Sequence, residues 1–427
     1  MVEPLQASLG DRRSDMPTPG VRTDVFGPYS PDNQRTPSGV RRYEPWLGNF
    51  VPLDGLRGMA ILLVLLLHFT TDMVLPAGSF ASGLRDAFQV GWIGVDLFFV
   101  LSGFLITGIL VDNKGSGRYF SAFYARRALR IMPVYFLAVF AAFHLLPRFF
   151  QDFDTGGSST EAAFWLFLTN FRELPYQLGR TVGHFWSLAI EEQFYLAWPL
   201  VVFLSSRVQA RRIALLTVIL SPIVRYAALR AGVPGNSVYH FTPFRLDGLA
   251  TGAFIAMSVR DPVARDGLHR LTRIAGPIAL GVAAILYGPF TLPEPLSTQL
   301  DFSLGFSALC IGFGALLTRV VLAAPDSFLA RALTARGLVT HGTYSYAMYL
   351  VHVPLLRVVS KIGLPPQWSG SQRWPLLWVL GYTAMLGVLT LAAAIVSWHL
   401  CEKHFLALKR HFPYGAGERR AMHDRAA

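Results

Sequence analysis

The sequence predicts an all-α integral membrane protein, a bundle of about ten transmembrane helices with both termini in the cytoplasm. Of its 427 residues, 52% are apolar and only 15% are charged, whereas soluble domains carry roughly 25% charged residues. Mean hydropathy is +0.41, and apolar runs of about 20 residues, the length that crosses a bilayer, recur from residue 50 to residue 400. This composition excludes a soluble protein of this size and a disordered chain, and the two cysteines exclude a disulfide scaffold.

Ten apolar runs are expected to span the membrane, with predicted bounds at 50–73, 91–111, 128–147, 184–204, 211–229, 243–258, 272–290, 300–322, 341–361 and 375–400. A further run at 162–171 is too short to span and predicts an interfacial or re-entrant helix. Residues 1–45 mix Pro, Gly, Ser, Asp and Arg without a period, which predicts a disordered cytoplasmic tail. Residues 46–405 form the predicted membrane domain, and 406–427 form a basic cytoplasmic tail.

The distribution of Lys and Arg gives the expected orientation. With the N-terminus inside, the cytoplasmic segments carry 27 of the 38 basic residues and the opposite loops carry 7. Positively charged loops stay in the cytoplasm, so both termini are expected there. The same bias explains the net charge of +12 without a nucleic-acid partner, and the basic patches match no nucleic-acid-binding module. The expected partner is therefore the lipid bilayer.

The first predicted span carries two polar side chains on one face. Arg57 and His68 are 11 residues apart, only about 20° past three full turns of a helix, with a rise of roughly 16 Å between them. Asp54, three residues before Arg57, lies within its reach. Ionisable residues at bilayer depth usually face the bundle interior and often serve the function of the protein. The structural alternative is a snorkelling arginine and a hydrogen-bonded core histidine.

Two adjacent carboxylates lie in the fourth predicted span. Glu191 and Glu192 are expected about two turns below its outer end, close to the depth expected for His68. Adjacent helical residues point about 100° apart, so one of the two faces the interior. A histidine and a carboxylate at one depth are the parts of a general base with an orienting or proton-accepting partner. The alternative is an ion pair with an arginine that holds helices together.

A basic face precedes the third span, where Arg126, Arg127 and Arg130 follow i,i+3 and i,i+4 spacing. Guanidinium forks suit phosphate groups, and ordinary positive-inside anchoring is the alternative. A phosphate loop of the GxxxxGK[ST] type is absent, which disfavours nucleotide hydrolysis. HExxH and CxxC are absent too, and the histidines do not cluster in the sequence, so no metal site is expected.

Four further polar side chains within the spans are, together with Glu192, candidates for substrate binding. Ser102 precedes a glycine in the second span, where small residues permit close approach of helices. Arg245 and Asp247 begin the sixth span; two residues apart, they do not face each other, so each is expected to pair with another helix. His352 lies one turn after Tyr349 in the ninth span, where aromatic residues often anchor a helix at the interface.

Six segments together resemble the bacterial acyltransferase 3 family of integral-membrane acyltransferases. They are the Arg57-to-His68 spacing, GVDLFFVLSGFLIT, RRALRIMPVYF, HFWSLAIEEQFYLAWP, RLDGLATG and TYSYAMYLVH, in that order. The resemblance covers roughly residues 50–405, and the family's ten-helix core agrees with the ten predicted spans. Many family members append a hydrolase-like domain after the membrane core. Such a domain is not expected here, because about 25 residues follow the last span.

The resemblance implies an acyl-coenzyme A donor, most often acetyl-coenzyme A, bound from the cytoplasmic side of a bacterial inner (plasma) membrane. It also implies an acceptor hydroxyl on a sugar, glycolipid, surface polysaccharide, lipid-linked saccharide or macrolide. His68 is then the expected general base or transient acyl carrier, and Arg57 orients the donor or stabilises developing negative charge. Glu191 positions His68 or relays its proton, with Glu192 as the second choice.

The three arginines at 126, 127 and 130 are expected to bind the phosphates of coenzyme A.

Two functions of other classes stay open. A polytopic bundle with buried charges is also typical of a transporter or flippase for a polar lipid or saccharide, which half-repeats with broken helices would favour. The sequence shows only a weak echo between 53–58 and 246–252. A receptor or assembly partner that keeps the fold without chemistry would tolerate the loss of His68.

Overall fold

The computed structural model describes residues 50–150, 153–174, 176–288, 296–362 and 374–414. The regular secondary structure of these residues is helical, and they contain no β-strand, which confirms the all-α prediction. The tail predicted at 1–45 lies outside the described residues, as does the part of the predicted basic tail at 415–427. The beginning of that basic tail is helical, because Leu408–His411 forms a 3₁₀ turn.

The described part of the chain contains ten long helices, numbered α1 to α10 in chain order. They are α1 (Val51–Thr70), α2 (Ile93–Asp112), α3 (Tyr119–Phe140), α4 (Trp186–Leu204), α5 (Arg207–Arg230), α6 (Leu246–Val259), α7 (Pro262–Leu286), α8 (Phe306–Val321), α9 (Arg336–Lys361) and α10 (Pro375–Ser397). Shorter helices between them include Phe80–Phe88, Gly157–Trp165, Tyr176–Val182, Gly235–His240 and Phe328–Leu333. Segments of π-helix adjoin α3, α8 and α10 at Ala141–Leu145, Asp301–Gly305 and Trp398–Glu402.

Seven of the described helical segments are long and apolar enough to cross a membrane. They are Val51–Thr70, Phe80–Asp112, Tyr119–Phe149, Leu178–Leu204, Arg207–Arg230, Leu296–Val321 and Pro375–His411, and they correspond to seven of the ten predicted spans. The other three predicted spans fall on α6, which has 14 residues, and on the less apolar α7 and α9. Ten crossings and cytoplasmic termini therefore stay predictions. The run predicted at 162–171 forms only short helical pieces, Gly157–Trp165 and Thr169–Phe171.

Polar residues in tight loops determine where two of the helices begin. The Ser206 hydroxyl accepts a hydrogen bond from the backbone N–H of Gln209, and the Gln209 side chain accepts one from the backbone N–H of Ser206, a capping box that starts α5. The Asp261 carboxylate accepts hydrogen bonds from the N–H groups of Val263 and Ala264 at the start of α7. Both caps satisfy backbone donors that a helix terminus leaves free, and only two residues separate each helix from its predecessor.

Close approach of α1 and α9 aligns the part of the bundle that matters most for function. A Cβ atom added at Gly58 of α1 would clash with the backbone of α9, and one added at Gly342 of α9 would clash with the Asp54 carbonyl. Small residues at a helix contact are typical of membrane bundles. His68 lies ten residues after Gly58, and His352 lies ten residues after Gly342. Two helices that run in the same direction from this contact therefore carry both histidines to one level.

The remaining helices pack around this pair. α1 also contacts α2, and α2 lies along α6, which in turn contacts α5. α7 pairs with α8, and α10 packs against α9. Most of the polar residues predicted for the site lie on α1, α3, α4 and α9.

Candidate active site

Three histidines from distant parts of the chain meet near the end of α1. His68 belongs to α1 and His352 to α9, and His184 lies in the short 3₁₀ turn Gly183–Phe185 before α4. Their ring centroids are separated by 4.9 Å for His68 and His352, 4.8 Å for His184 and His352, and 6.0 Å for His68 and His184. These three residues are called the histidine cluster.

Hydrogen bonds determine which nitrogen of His68 is available for chemistry. Nδ1 of His352 donates its proton to the Tyr349 carbonyl at 2.7 Å, so in the neutral ring Nε2 of His352 is an acceptor. Nδ1 of His68 lies 2.8 Å from the Val64 carbonyl and 3.3 Å from that acceptor, and it donates to both. Nε2 of His68 then carries the lone pair. This tautomer follows from the hydrogen-bond partners, and it is the one that a general base requires.

His68 is the least buried member of the histidine cluster. It keeps part of its surface accessible, whereas His184 is 8% exposed and His352 is fully buried. Nε2 of His184 donates to the Tyr349 carbonyl at 2.9 Å, and the Tyr349 hydroxyl donates to the His184 carbonyl at 2.9 Å. These contacts hold the two buried rings in place behind His68.

Arg57 lies at the other end of α1, about 16 Å along the helix from His68. It donates to Asp54 at 2.9 Å, which confirms the predicted i,i+3 contact, and its side chain is 14% exposed. The charges of Arg57 and Asp54 act on Arg130 of α3. The basic face of α3 therefore lies beside the beginning of α1.

Glu191 of α4 lies beside these basic side chains. Its carboxylate accepts a hydrogen bond from the Tyr195 hydroxyl at 2.8 Å, and that hydroxyl also contacts Ser102 of α2. The guanidinium of Arg127 lies 4.3 Å from the centre of the Tyr195 ring. The positive charges that act on Glu191 are those of Arg127 and Arg57. Ser102 and Glu191 are thus brought together, as members of one hydrogen-bonded group.

Arg57, Arg126, Arg127 and Arg130 are called the arginine cluster. The guanidinium of Arg126 lies 5.1 Å from the centre of the Tyr414 ring, and the Glu402 carboxylate acts on Arg130. Lys409 interacts electrostatically with the arginines at 126, 127 and 130. The segment that follows α10 therefore packs on the basic face of α3.

The second carboxylate, Glu192, also belongs to this region. Its Oε1 atom and the Nε atom of Arg127 are buried and have no hydrogen-bond partner among the described residues, and the Arg127 charge acts on Glu192. Nearly all buried polar atoms in proteins have a partner. A buried guanidinium and a buried carboxyl group with unused hydrogen-bonding capacity fit a region that receives a polar ligand.

The two carboxylates lie with the arginine cluster rather than with the histidines. Glu191 is seven residues beyond His184, which places it about 10 Å further along α4. The hydrogen bonds of His68 go to Val64 and His352, so the predicted contact between Glu191 and His68 is not among those that the structure shows. The sequence predicts the depth of Glu191 in the membrane only to within about two turns. That uncertainty is about as large as the distance between Glu191 and the histidine cluster.

Arg245 and Asp247 each pair with another helix, as the sequence predicts. Arg245 donates to Asp96 of α2 at 2.7 Å, and Arg225 of α5 donates to Asp247 at 2.8 Å. The four side chains are almost completely buried, and the Arg245 guanidinium lies 4.0 Å from the centre of the Phe306 ring. These ion pairs join α2, α5 and α6, so a structural role accounts for their burial. Contact with substrate stays a prediction for both residues.

His184 was not predicted, because no spacing in the sequence links it to His68 or His352. Its only signal was its place as the first residue of the segment HFWSLAIEEQFYLAWP, which resembles the family.

Among the described residues, no group of three His, Cys, Asp or Glu side chains is arranged to hold a metal ion. A cavity of about 540 Å³ near α7 is lined by Arg265, Asp266, His269, Arg270 and Leu322, none of which belongs to the predicted site.

The bundle, with its histidine and arginine clusters at opposite ends of α1, defines a multi-pass membrane protein with an internal polar site. The family model described as the acyltransferase domain matches residues 51–398. The chain therefore belongs to the acyltransferase 3 family, a family of membrane acyltransferases. No solved structure matches the chain.

The chain is similar to several curated bacterial proteins. It is 29% identical over 390 residues to the putative peptidoglycan O-acetyltransferase YrhL of Bacillus subtilis, a match that covers 83% of this chain and 54% of the relative. It is 29% identical over 351 residues to the peptidoglycan O-acetyltransferase OatA of Listeria monocytogenes, covering 77% and 52%. For the O-acetyltransferase OatA of Staphylococcus aureus the identity is 29% over 324 residues, covering 72% and 51%. The chain thus spans about half the length of these relatives.

Proposed function

We propose that this protein is a membrane O-acyltransferase that moves an acyl group, acetyl being the expected one, from acyl-coenzyme A to a hydroxyl of a carbohydrate or lipid-linked acceptor. The observation that carries the proposal is the partly exposed His68, whose Nε2 lone pair is fixed by hydrogen bonds from Nδ1 to the Val64 carbonyl and to His352. The O-acetyltransferase names of the relatives support the acetyl group and the hydroxyl acceptor.

The donor end of the site is the arginine cluster. Guanidinium forks bind phosphate oxygens bidentately, and the unused Nε atom of Arg127 supports a polar ligand there. With the N-terminus in the cytoplasm, as the positive-inside bias predicts, Arg126, Arg127 and Arg130 face the compartment that supplies coenzyme A. The acyl-bearing arm of the donor then extends along α1 toward His68.

His68 acts on the acceptor as a general base. Nε2 takes the proton of the acceptor hydroxyl while the oxygen attacks the thioester carbonyl, so a C–O bond forms and the C–S bond breaks. The proton then passes to the departing coenzyme A thiolate. Transient transfer of the acyl group to the same Nε2 is the second route open to His68.

The inner polar residues take supporting roles in this proposal. Arg57 is about 16 Å along α1 from His68, so it orients the donor rather than contacting the reacting carbonyl. Glu191 accepts a hydrogen bond from Tyr195, and the Arg127 charge acts on both Glu191 and Glu192. A direct role for Glu191 in positioning His68 gains no support from the hydrogen bonds.

The test is transfer by the purified, detergent-solubilised protein. It is incubated with labelled acetyl-coenzyme A and soluble peptidoglycan glycan fragments, and mass spectrometry measures ester formation and release of free coenzyme A. We expect ester formation in proportion to enzyme concentration. Failure to bind acyl-coenzyme A or to consume it with any glycan or lipid acceptor would contradict the proposal and favour a transporter or flippase instead.

A further inference from the structure

A second layer of charged side chains lies directly beyond the histidine cluster. Asp72, just after α1, accepts hydrogen bonds from Arg180 and, at 3.2 Å, from Nη1 of Arg357. Arg357 also donates from Nε to the Arg180 backbone carbonyl at 3.2 Å. These three residues are called the charged triad. Their contacts join the end of α1, the helix Tyr176–Val182 and α9.

Each member of the charged triad lies four or five residues from one histidine along the same stretch of chain. Asp72 is four residues after His68, and Arg357 is five residues after His352. Arg180 is four residues before His184, and the chain there runs in the opposite direction, toward the bundle interior. An offset of four or five residues corresponds to about one turn, or 6–7 Å. The triad therefore forms a layer about one turn further from the arginine cluster than the histidines.

The charged triad is coupled to His68 and open to ligands. The charges of Arg357 and Asp72 act on the His68 ring. The side chains of Asp72, Arg180 and Arg357 are 25%, 35% and 23% exposed, in contrast to the completely buried ion pairs of α2, α5 and α6. An ion pair that only joins helices contributes little to stability when it is this exposed. A site that binds a ligand, in contrast, must be accessible.

A carbohydrate fits the chemistry of this layer. Neighbouring sugar hydroxyls both donate and accept hydrogen bonds, so they match a fixed carboxylate flanked by two guanidiniums. Next to the triad, Tyr176 is 70% exposed, and its hydroxyl accepts from Nη1 of Arg180 at 3.1 Å. Its ring offers a flat apolar surface with a polar tip, which suits the face of a sugar ring.

We propose that Asp72, Arg180 and Arg357 form the acceptor subsite, which binds the hydroxyl groups of a carbohydrate next to the one that His68 deprotonates. The inference rests on the proposed acyltransferase function and deepens it. In this arrangement the donor arrives from the arginine cluster and the acceptor from the charged triad, and the two meet at His68.

The test compares steady-state kinetics of Asp72→Asn and Arg357→Gln with those of the wild type, with acetyl-coenzyme A and soluble peptidoglycan glycan fragments as substrates. Loss of a charge-assisted hydrogen bond should raise the acceptor KM about tenfold or more. The donor KM should stay within about threefold, because neither residue contacts the donor in this arrangement. A matched control is Asp261→Asn, which breaks the Arg211–Asp261 pair of similar exposure between α5 and α7 and should change neither KM.

Two further results keep the test decisive. If Asp72→Asn does not accumulate in the membrane, the exposed Tyr176→Ala variant takes its place, and its acceptor KM should rise about threefold or more. Acceptor KM values at the wild-type level, or equal losses in donor and acceptor kinetics, would overturn the acceptor subsite. An inactive wild-type protein would instead overturn the acyltransferase function itself, so the two failures are distinguishable.

Discussion

His352 determines how His68 presents its ring, because its Nε2 atom accepts a hydrogen bond from Nδ1 of His68. In the proposed mechanism the buried ring acts as a positioning residue, and contact of His352 with substrate stays a prediction. His352 lies ten residues after Gly342, where α9 contacts α1. The packing of these two helices therefore sets the position of His352 relative to His68. The sequence predicted a carboxylate, Glu191, as the partner of His68, rather than a second histidine.

Substitution of His352 separates positioning from packing. His352→Leu removes the acceptor, so kcat should fall about a hundredfold or more while both KM values are kept. His352→Gln places an amide oxygen near the former Nε2 and should recover a large part of that loss. Steady-state kinetics of the two purified variants make the comparison. Equal losses for Leu and Gln would contradict the hydrogen-bonding role and leave His352 as a packing residue.

Individual residues show how far the sequence reached. The contact of Arg57 with Asp54 and the separate partners of Arg245 and Asp247 follow from helical spacing, and the structure confirms them. The histidine cluster was beyond such reasoning, because it depends on the crossing of α1 and α9 and on a loop residue, His184. Helical periodicity fixes which residues share a face, but not which faces meet.

At the level of elements, the contact between α1 and α9 sets the distance between His68 and His352. Gly342→Ala puts a methyl group against the Asp54 carbonyl, and such overpacking costs about 1–3 kcal/mol. We expect a lower Tm and reduced transfer, because the helices must separate. The measurement is thermal unfolding in detergent together with turnover.

The same helix supplies the control. A Cβ atom at Gly337 meets no neighbouring atom within 4 Å, and alanine favours a helix over glycine by about 1 kcal/mol. Gly337→Ala should therefore keep or raise the Tm and leave turnover unchanged. If both alanine variants behave alike, the close contact at Gly342 does not align the histidines.

The basic face of α3 is the second element with a separable role. Replacing Arg126, Arg127 and Arg130 together by Gln should raise the donor KM about a hundredfold, because each charge-assisted contact contributes about 1.5–3 kcal/mol. The acceptor KM should change little. Titration of coenzyme A into the purified variant measures the effect, and unchanged binding would return these arginines to positive-inside anchoring.

Across the whole molecule, the sequence predicted the helical class and most of the bundle. Seven predicted spans match helices that are long and apolar enough to cross a membrane, since a continuous apolar run reports length directly. α6 has only 14 residues, and α7 and α9 begin with polar stretches that include Arg265 and Arg270 in α7 and Arg336 and His341 in α9. Apolar length alone therefore leaves the total number of crossings as a prediction, although ten long helices follow the predicted order.

The whole-molecule account places donor binding and chemistry at opposite ends of α1, with acceptor binding one turn beyond His68. The most direct test is His68→Ala, assayed for donor affinity by coenzyme A titration and for turnover by transfer of labelled acetyl groups. We predict donor affinity within about threefold of the wild type and turnover reduced by about 10²–10⁴-fold, the contribution of a general base. Turnover near the wild-type rate in a correctly folded His68→Ala protein would contradict the assignment of His68 as the reacting base.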